Sequence, residues 1–148
     1  MRGAMREAFR HEIAVGDADI DFLGHASNLS FVRWIQETAL AHSASVGLDI
    51  DAYRRLGSIF IIVRHEIDYL RPAMGGDTID ARTWVPSVLS AKCFRHTEFV
   101  RKTDGQMLAK GITTWAFMDL ETGRPRRIAA EVRAAFGWED HQSNGATQ

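Results

Sequence analysis

The chain has 148 residues, 45% of them hydrophobic, enough for one ordinary globular core and too few for two comfortable domains. Its 18 basic and 19 acidic residues leave a net charge of -1, so no global field favours nucleic acid or an anionic membrane. Cys93 is the only cysteine, which excludes an intramolecular disulfide framework, and no stretch approaches a transmembrane span or a secretory signal; a soluble, cytoplasmic protein is expected.

In chain order, residues before Phe9 read as a frayed lead-in and Phe9 to Val15 as a short first strand. A charged loop follows, Gly16 to Asn28. Ser27 or Asn28 then caps a long helix to about Val46, in which Phe31, Ile35, Ala39, His42 and Val46 share one face and Gly47 supplies the stop. Asp49 to Leu56 predicts one or two further helical turns ended by Gly57. The period then changes to two. Ser58 to Leu70 reads as a long strand with Ile59, Ile61, Val63, His65, Ile67 and Tyr69 on one face, stopped by Pro72. The Gly75-Gly76-Asp77 turn reverses the chain into a strand from Thr78 to Val85, closed by Pro86. Ala91 to Arg101 and Met107 to Met118 alternate across the Asp104-Gly105 hairpin signal, and Ala129 to Phe136 predicts a short amphipathic helix. Residues 1–138 are expected to form the single domain, and 139–148 a polar, disordered tail. The layout is α+β: one long helix against an antiparallel sheet of about five strands. One helix leaves part of such a sheet to be covered, so a homodimer or homotetramer is expected.

The chemistry gathers in the charged loop. Asp17, Asp19 and Asp21 precede the start of the long helix, where unpaired backbone N–H groups and the positive end of the macrodipole favour developing negative charge. Asp21 in that setting suits a base or nucleophile of acyl transfer, with the N–H of Asn28 or a neighbour as oxyanion donor. Asp and Asn before a helix also serve simply as turn and cap residues. The three aspartates occupy the first, third and fifth places of a calcium loop. However, Phe22 stands where that loop needs Gly and Asn28 where it needs a bidentate Glu, so no metal is expected.

Asp19-Ile20-Asp21-Phe22-Leu23-Gly24-His25-Ala26-Ser27-Asn28, with Phe31 and Trp34, resembles the D-x-D-x-x-G-H-x-N-N-x-x-Y-x-x-W signature of hotdog-fold acyl-CoA thioesterases of the 4-hydroxybenzoyl-CoA thioesterase type. Tyr69-Leu70-Arg71-Pro72 with Gly76-Asp77 is similar to the family's Y-x-x-P…G-D turn, and Thr113-Thr114-Trp115 through Pro125 to its last strand and exit loop. The resemblance implies the hotdog fold, a long central helix wrapped by the curved sheet. It implies Asp21 as the catalytic carboxylate, acting as general base or as nucleophile, and the Asn28 N–H directed at the thioester oxygen. His25 would orient the loop, contact substrate or simply satisfy backbone groups, while Gly24 and Phe31 would bound the substrate site. Ser27 and Phe31 depart from the usual Asn and Tyr, which removes a hydroxyl contact at position 31.

The expected activity is therefore thioester hydrolysis on acyl-CoA, or on an acyl group carried by acyl carrier protein, with coenzyme A entering only as part of the substrate and no other cofactor. A non-catalytic acyl-thioester-binding module of the same fold is the alternative. A hotdog dehydratase is disfavoured because its His-bearing, Pro- and Gly-rich loop is missing. No nucleophile elbow, Walker loop, zinc spacing or dinucleotide fingerprint occurs. Arg71, Arg95, Lys110, Arg124, Arg126 and Arg127 are possible phosphate contacts, any one of which is more simply surface. His42 and His65 fit core or pocket-lining positions, Cys93 fits packing, and Trp84, Trp115 and Phe117 fit sheet packing.

Overall fold

The structure, a computed structural model, describes residues 8–138. The expected lead-in and tail, residues 1–7 and 139–148, lie outside the described residues. Strand β1 (Phe9–Ala14) leads through a single 3-10 turn into helix α1 (Asn28–Ser45) and the short α2 (Ile50–Leu56). Four strands follow, β2 (Ser58–Tyr69), β3 (Thr78–Val88), β4 (Lys92–Arg101) and β5 (Met107–Asp119), and then helix α3 (Ala130–Phe136).

Helix α1 forms where the apolar spacing predicts it. Ser27 is its N-cap, its Oγ accepting from the Ser30 N–H at 3.3 Å. The face toward the sheet is Phe31, Trp34, Ile35, Thr38, Ala39 and Ser43, all buried. Thr38 spends its hydroxyl on the Trp34 carbonyl at 2.7 Å, so a polar residue sits fully buried without an unmet bond. Helix α2 is capped by Asp49, whose Oδ1 accepts from Ala52 N–H at 2.8 Å, and ends at Gly57 with φ 73°, a conformation that favours glycine.

The sheet order is β1-β3-β4-β5-β2, antiparallel throughout. β2 pairs with β5, not with β3, so the Gly75–Asp77 turn reverses the chain without making a hairpin. That turn is instead held against the end of β1: Gly76 N–H donates to Val15 O at 3.0 Å and Val15 N–H to Asp77 O at 2.9 Å. The core splits into two clusters along α1. One joins Ile13, Phe31, Trp34, Ile35, Ile79, Phe99 and Leu108; the other joins Leu48, Tyr53, Phe117, Ile128 and Val132 under α2 and α3. Gly111 lets α1 approach the sheet. A Cβ there would stand 3.1 Å from Glu66 O and 3.7 Å from the Ile35 side chain.

Two strand expectations need correction. The register of β2 shifts between Ile62 and Arg64, with Ile62 opposite Trp115 and Arg64 opposite Thr114, so Val63 is an extra residue. His65, Ile67 and Tyr69 consequently share a face with Phe60 and Ile62, not with Ile59 and Ile61. Pro86 does not close β3. A second shift, between Trp84 and Ser87, takes the proline out of the regular ladder and the strand continues to Val88. The result is the hotdog arrangement, an α+β layer of one long helix on a five-stranded antiparallel sheet.

Candidate active site

The loop between β1 and α1 is pinned by Asp19, which is buried although charged. Its Oδ2 accepts from Gly16 N–H at 3.0 Å, and its Oδ1 from Ser30 Oγ at 2.8 Å and from the Arg33 guanidinium. Its backbone carbonyl also takes the Ser27 N–H at 2.8 Å. Burial alone would raise the Asp19 pKa. The Arg33, Gly16 and Ser30 hydrogen bonds together outweigh it and hold the carboxyl below the usual range. With no acidic residue in the first turn of α1, this carboxylate supplies the negative charge that the helix N-terminus favours.

Two residues on, the chain turns tightly. Asp21 N–H donates to His25 O at 2.8 Å, Gly24 N–H returns to Asp21 O at 3.0 Å, and Gly24 adopts φ 84°. Asp21 Oδ1 accepts from Leu23 N–H at 2.9 Å, while its Oδ2 has no partner among the described residues. Ala26 N–H donates to Ala73 O at 2.8 Å and ties this turn to the segment after β2.

These ties place Asp21, His25, Asn28 and Phe31 on one cleft of about 280 Å³, whose opposite wall is Tyr69, Leu70, Arg71 and Pro72. Gly24 is not in the lining; it shapes the turn that carries Asp21 and His25. Phe31 is buried, with the Tyr69 ring meeting it edge-on at 5.6 Å, and the Tyr69 hydroxyl points back to Asn28 O at 3.5 Å. Asn28 is the first residue of α1, so its N–H has no intrahelical acceptor, and the residue lines the cleft. Arg71 also lines the cleft and donates to Met107 O at 3.1 Å.

The three aspartates do not act together. Asp17 is exposed, Asp19 turns inward to Arg33, and Asp21 lines the cleft. The charge pattern alone did not separate Asp19 as the pin from Asp21. The signal was present in the spacing of Ser30 and Arg33, which share a helix face with each other and meet the same carboxylate. Arg95 departs from the expectation of a surface phosphate contact: it is 4% exposed, on the inner face of β4 beneath α1.

A five-stranded sheet carrying a long helix, with an acidic turn ahead of that helix, defines a hotdog domain of the thioesterase kind. Residues 15–136 match the family model described as Thioesterase-like superfamily, and the chain belongs to that family. Among curated relatives it is 28% identical over 132 residues to the acyl-[acyl-carrier-protein] hydrolase FATB3, chloroplastic, of Cuphea viscosissima, covering 85% of this chain and 32% of that protein. The chain thus spans about a third of the length of the curated relatives it matches. Among solved structures, Slr0204 from Synechocystis, a 1,4-dihydroxy-2-naphthoyl-CoA thioesterase, superposes with TM-score 0.81 at 20% identity, over 88% of this chain and 96% of that one. SAV2348 from Staphylococcus aureus, solved in complex with CoA, superposes with TM-score 0.83 at 14% identity, over 88% and 82% of the two chains. At those identities the structural likeness is one of fold.

Proposed function

We propose that the protein hydrolyses an acyl thioester, with Asp21 as general base or nucleophile. The observation that supports this reading is the cleft at the N-terminus of α1, which Asp21 and Asn28, the first residue of the helix, both line. In the general-base route Asp21 Oδ2 takes a proton from water as the water oxygen bonds to the thioester carbonyl carbon. The Asn28 N–H and the helix dipole stabilise the oxyanion; the C–S bond then breaks and the proton passes to the departing thiolate. In the nucleophilic route the carboxylate itself attacks the carbonyl carbon, the C–S bond breaks and the thiolate leaves, and water then cleaves the resulting anhydride to release the acid and restore the carboxylate. His25, contributing its backbone carbonyl to the Asp21 turn, keeps the carboxylate in place and lines the cleft. Phe31 and Tyr69 bound the acyl group, and Arg71 is the basic residue placed for the carrier's phosphate.

Both carriers have support: the superposed structures include a CoA complex, and the curated relatives are named for acyl carrier protein substrates. The working unit is a homodimer or a homotetramer of it, joined along β2. That strand is a sheet edge, and it shows Ile61 40% and Val63 50% exposed, an apolar edge of the kind that calls for a covering partner. The test is a hydrolysis panel of acyl-CoAs and acyl carrier protein thioesters, aliphatic and aromatic, read by thiol release. Turnover on one carrier class supports the proposal and identifies the carrier. Tight binding without turnover on every member would make the protein a binding module.

A further inference from the structure

Helix α1 does not cover the sheet evenly. It leans over β1 and β3, and the side chains that β3 and β4 pack beneath it, Ile79, Ala81 and Phe99, are fully buried. On β2 the side chains of the same inner face are Phe60, Ile62, His65, Ile67 and Tyr69, and none of them is buried. A strip of the inner face is therefore left open between α1 and the edge strand.

The strip has two defined ends. At one, Tyr69 and Phe31 line the Asp21 cleft. At the other, Phe60 forms part of the wall of a second cavity, of about 60 Å³, together with Ala39, Leu40, Ile50, Tyr53 and Phe136. That volume is several times what one buried water needs, and an apolar cavity of this kind takes an apolar group more readily than water. Ser43, Tyr53 and Arg95 in its lining are already paired: Ser43 Oγ with Tyr53 OH at 2.7 Å, and Arg95 Nη1 with His42 Nδ1 at 2.9 Å and Thr83 Oγ1 at 3.1 Å. Midway along the strip His65 is paired too, its Nδ1 lying 2.9 Å from Thr113 Oγ1, and burial holds its pKa below the ordinary value, so the ring is neutral. Nothing along this path calls for a charged or strongly hydrated occupant.

Length then selects the occupant. Asn28 at the cleft and Leu40 at the cavity are 12 positions apart on α1, which separates them by about 18 Å along the helix axis. An extended chain gains about 1.2 Å per bond, so roughly 15 bonds span that separation. We infer that the acyl group of the substrate is a linear aliphatic chain of about 14–16 carbons, lying along the inner face of β2 with its methyl end in the cavity beside Ala39 and Phe60. The inference rests on the hydrolase reading of the Asp21 cleft and adds the substrate class to it. A single-ring aromatic acyl group would end beside Phe31 and Tyr69 and leave the strip and the cavity unfilled. Leu40, 50% exposed at the rim of the cavity, is the residue that sets the usable length.

The test is calorimetric titration of the full chain with S-alkyl pantetheine thioethers from butyl to octadecyl, and with S-benzyl pantetheine, each below its micellar concentration. Pantetheine is the arm common to both carriers, and a thioether cannot be hydrolysed. Affinity is expected to rise roughly two- to fourfold per added methylene, the scale of burying a CH₂ group, and to level off at about 14–16 carbons, with S-benzyl among the weak binders. Leu40→Trp narrows the cavity and is expected to cut the hexadecyl-to-butyl affinity ratio about tenfold or more, the worth of two or so methylenes. Should Leu40→Trp fail to fold, Ile50→Trp narrows the same cavity from α2. An affinity that levels off by hexyl overturns the inference and assigns the strip to a second copy at the β2 seam. S-benzyl binding as tight as hexadecyl overturns it, and so does an unchanged ratio in the folded tryptophan variant. The hydrolase reading is separated by the thiol-release panel: a length-dependent binding profile without turnover supports the long-chain site and refutes hydrolysis, whereas turnover with a flat profile does the reverse.

Discussion

Replacing Asp19 by Ala removes three acceptor contacts at once, and the structure ranks their worth. Arg33 is 52% exposed, so its guanidinium returns to water at little cost, about 0–1 kcal/mol for a surface-type pair. Gly16 is exposed, and its N–H regains a water partner. Ser30 is different: 3% exposed, with its hydroxyl committed to Asp19 Oδ1 at 2.8 Å, it keeps a buried donor without an acceptor, a cost of about 1–3 kcal/mol. The sum predicts a loss of about 1–4 kcal/mol for Asp19→Ala, a fall in thermal midpoint of roughly 2–16 °C by the size scaling. Asp19→Asn retains an oxygen acceptor for Ser30 and should lose less. Urea titration at pH 7 and calorimetric melting of both variants measure the difference. The acid limb gives a second readout. The folded pKa of Asp19 lies below its ordinary value of 3.8, so its contribution is complete above that value and fades as pH falls through the lower folded one. Asp19→Asn should therefore show a flatter acid limb than the parent chain. Equal stability of the Ala and Asn variants, with acid limbs identical to that of the parent chain, would refute the reasoning.

Three further outcomes are expected. Ile61→Asp places a charge on the exposed apolar edge of β2 where the proposed dimer would join, and should weaken dimerisation by sedimentation; a variant that pairs as tightly as the parent chain would contradict the β2 seam. Gly111→Val places branched carbon where a Cβ already meets Glu66 O at 3.1 Å, and should destabilise by about 1–3 kcal/mol in denaturant titration. Ser27→Ala removes the N-cap acceptor of α1, with an expected loss of about 1 kcal/mol in the same assay.

Much of this architecture was legible because local and global signals agreed. The α1 boundaries follow from an N-cap, a continuous apolar stripe and a glycine stop, and each strand falls where the period changes to two. Pairing order was not legible. A turn signal such as Gly75-Gly76-Asp77 reports that the chain reverses, not which strand it reverses onto, and here the returning chain is claimed by β1 and β4 while β2 crosses to β5. The β2 face assignment failed for a similar reason. A bulge adds one residue without any mark in an apolar run, and Val63 shifts every later side chain by one place. At the loop, residue types located the cleft through Asp21, His25, Asn28 and Phe31, but the roles of neighbouring aspartates depended on what α1 presents to each. Arg95 was unreadable as a buried group, because alternation put it on a strand face without saying that the face would be covered by a helix.

The central claim is that the Asp21 carboxylate performs the chemistry, and Asp21→Asn tests it most directly. The amide keeps an oxygen for the Leu23 N–H now bonded to Oδ1 at 2.9 Å, so the turn is preserved while the basic electron pair is removed. On the best thioester from the panel, the variant should melt with the parent chain and lose roughly two or more orders of magnitude in kcat. Hydrolysis by Asp21→Asn at the parental rate would reduce Asp21 to a turn residue and contradict the account.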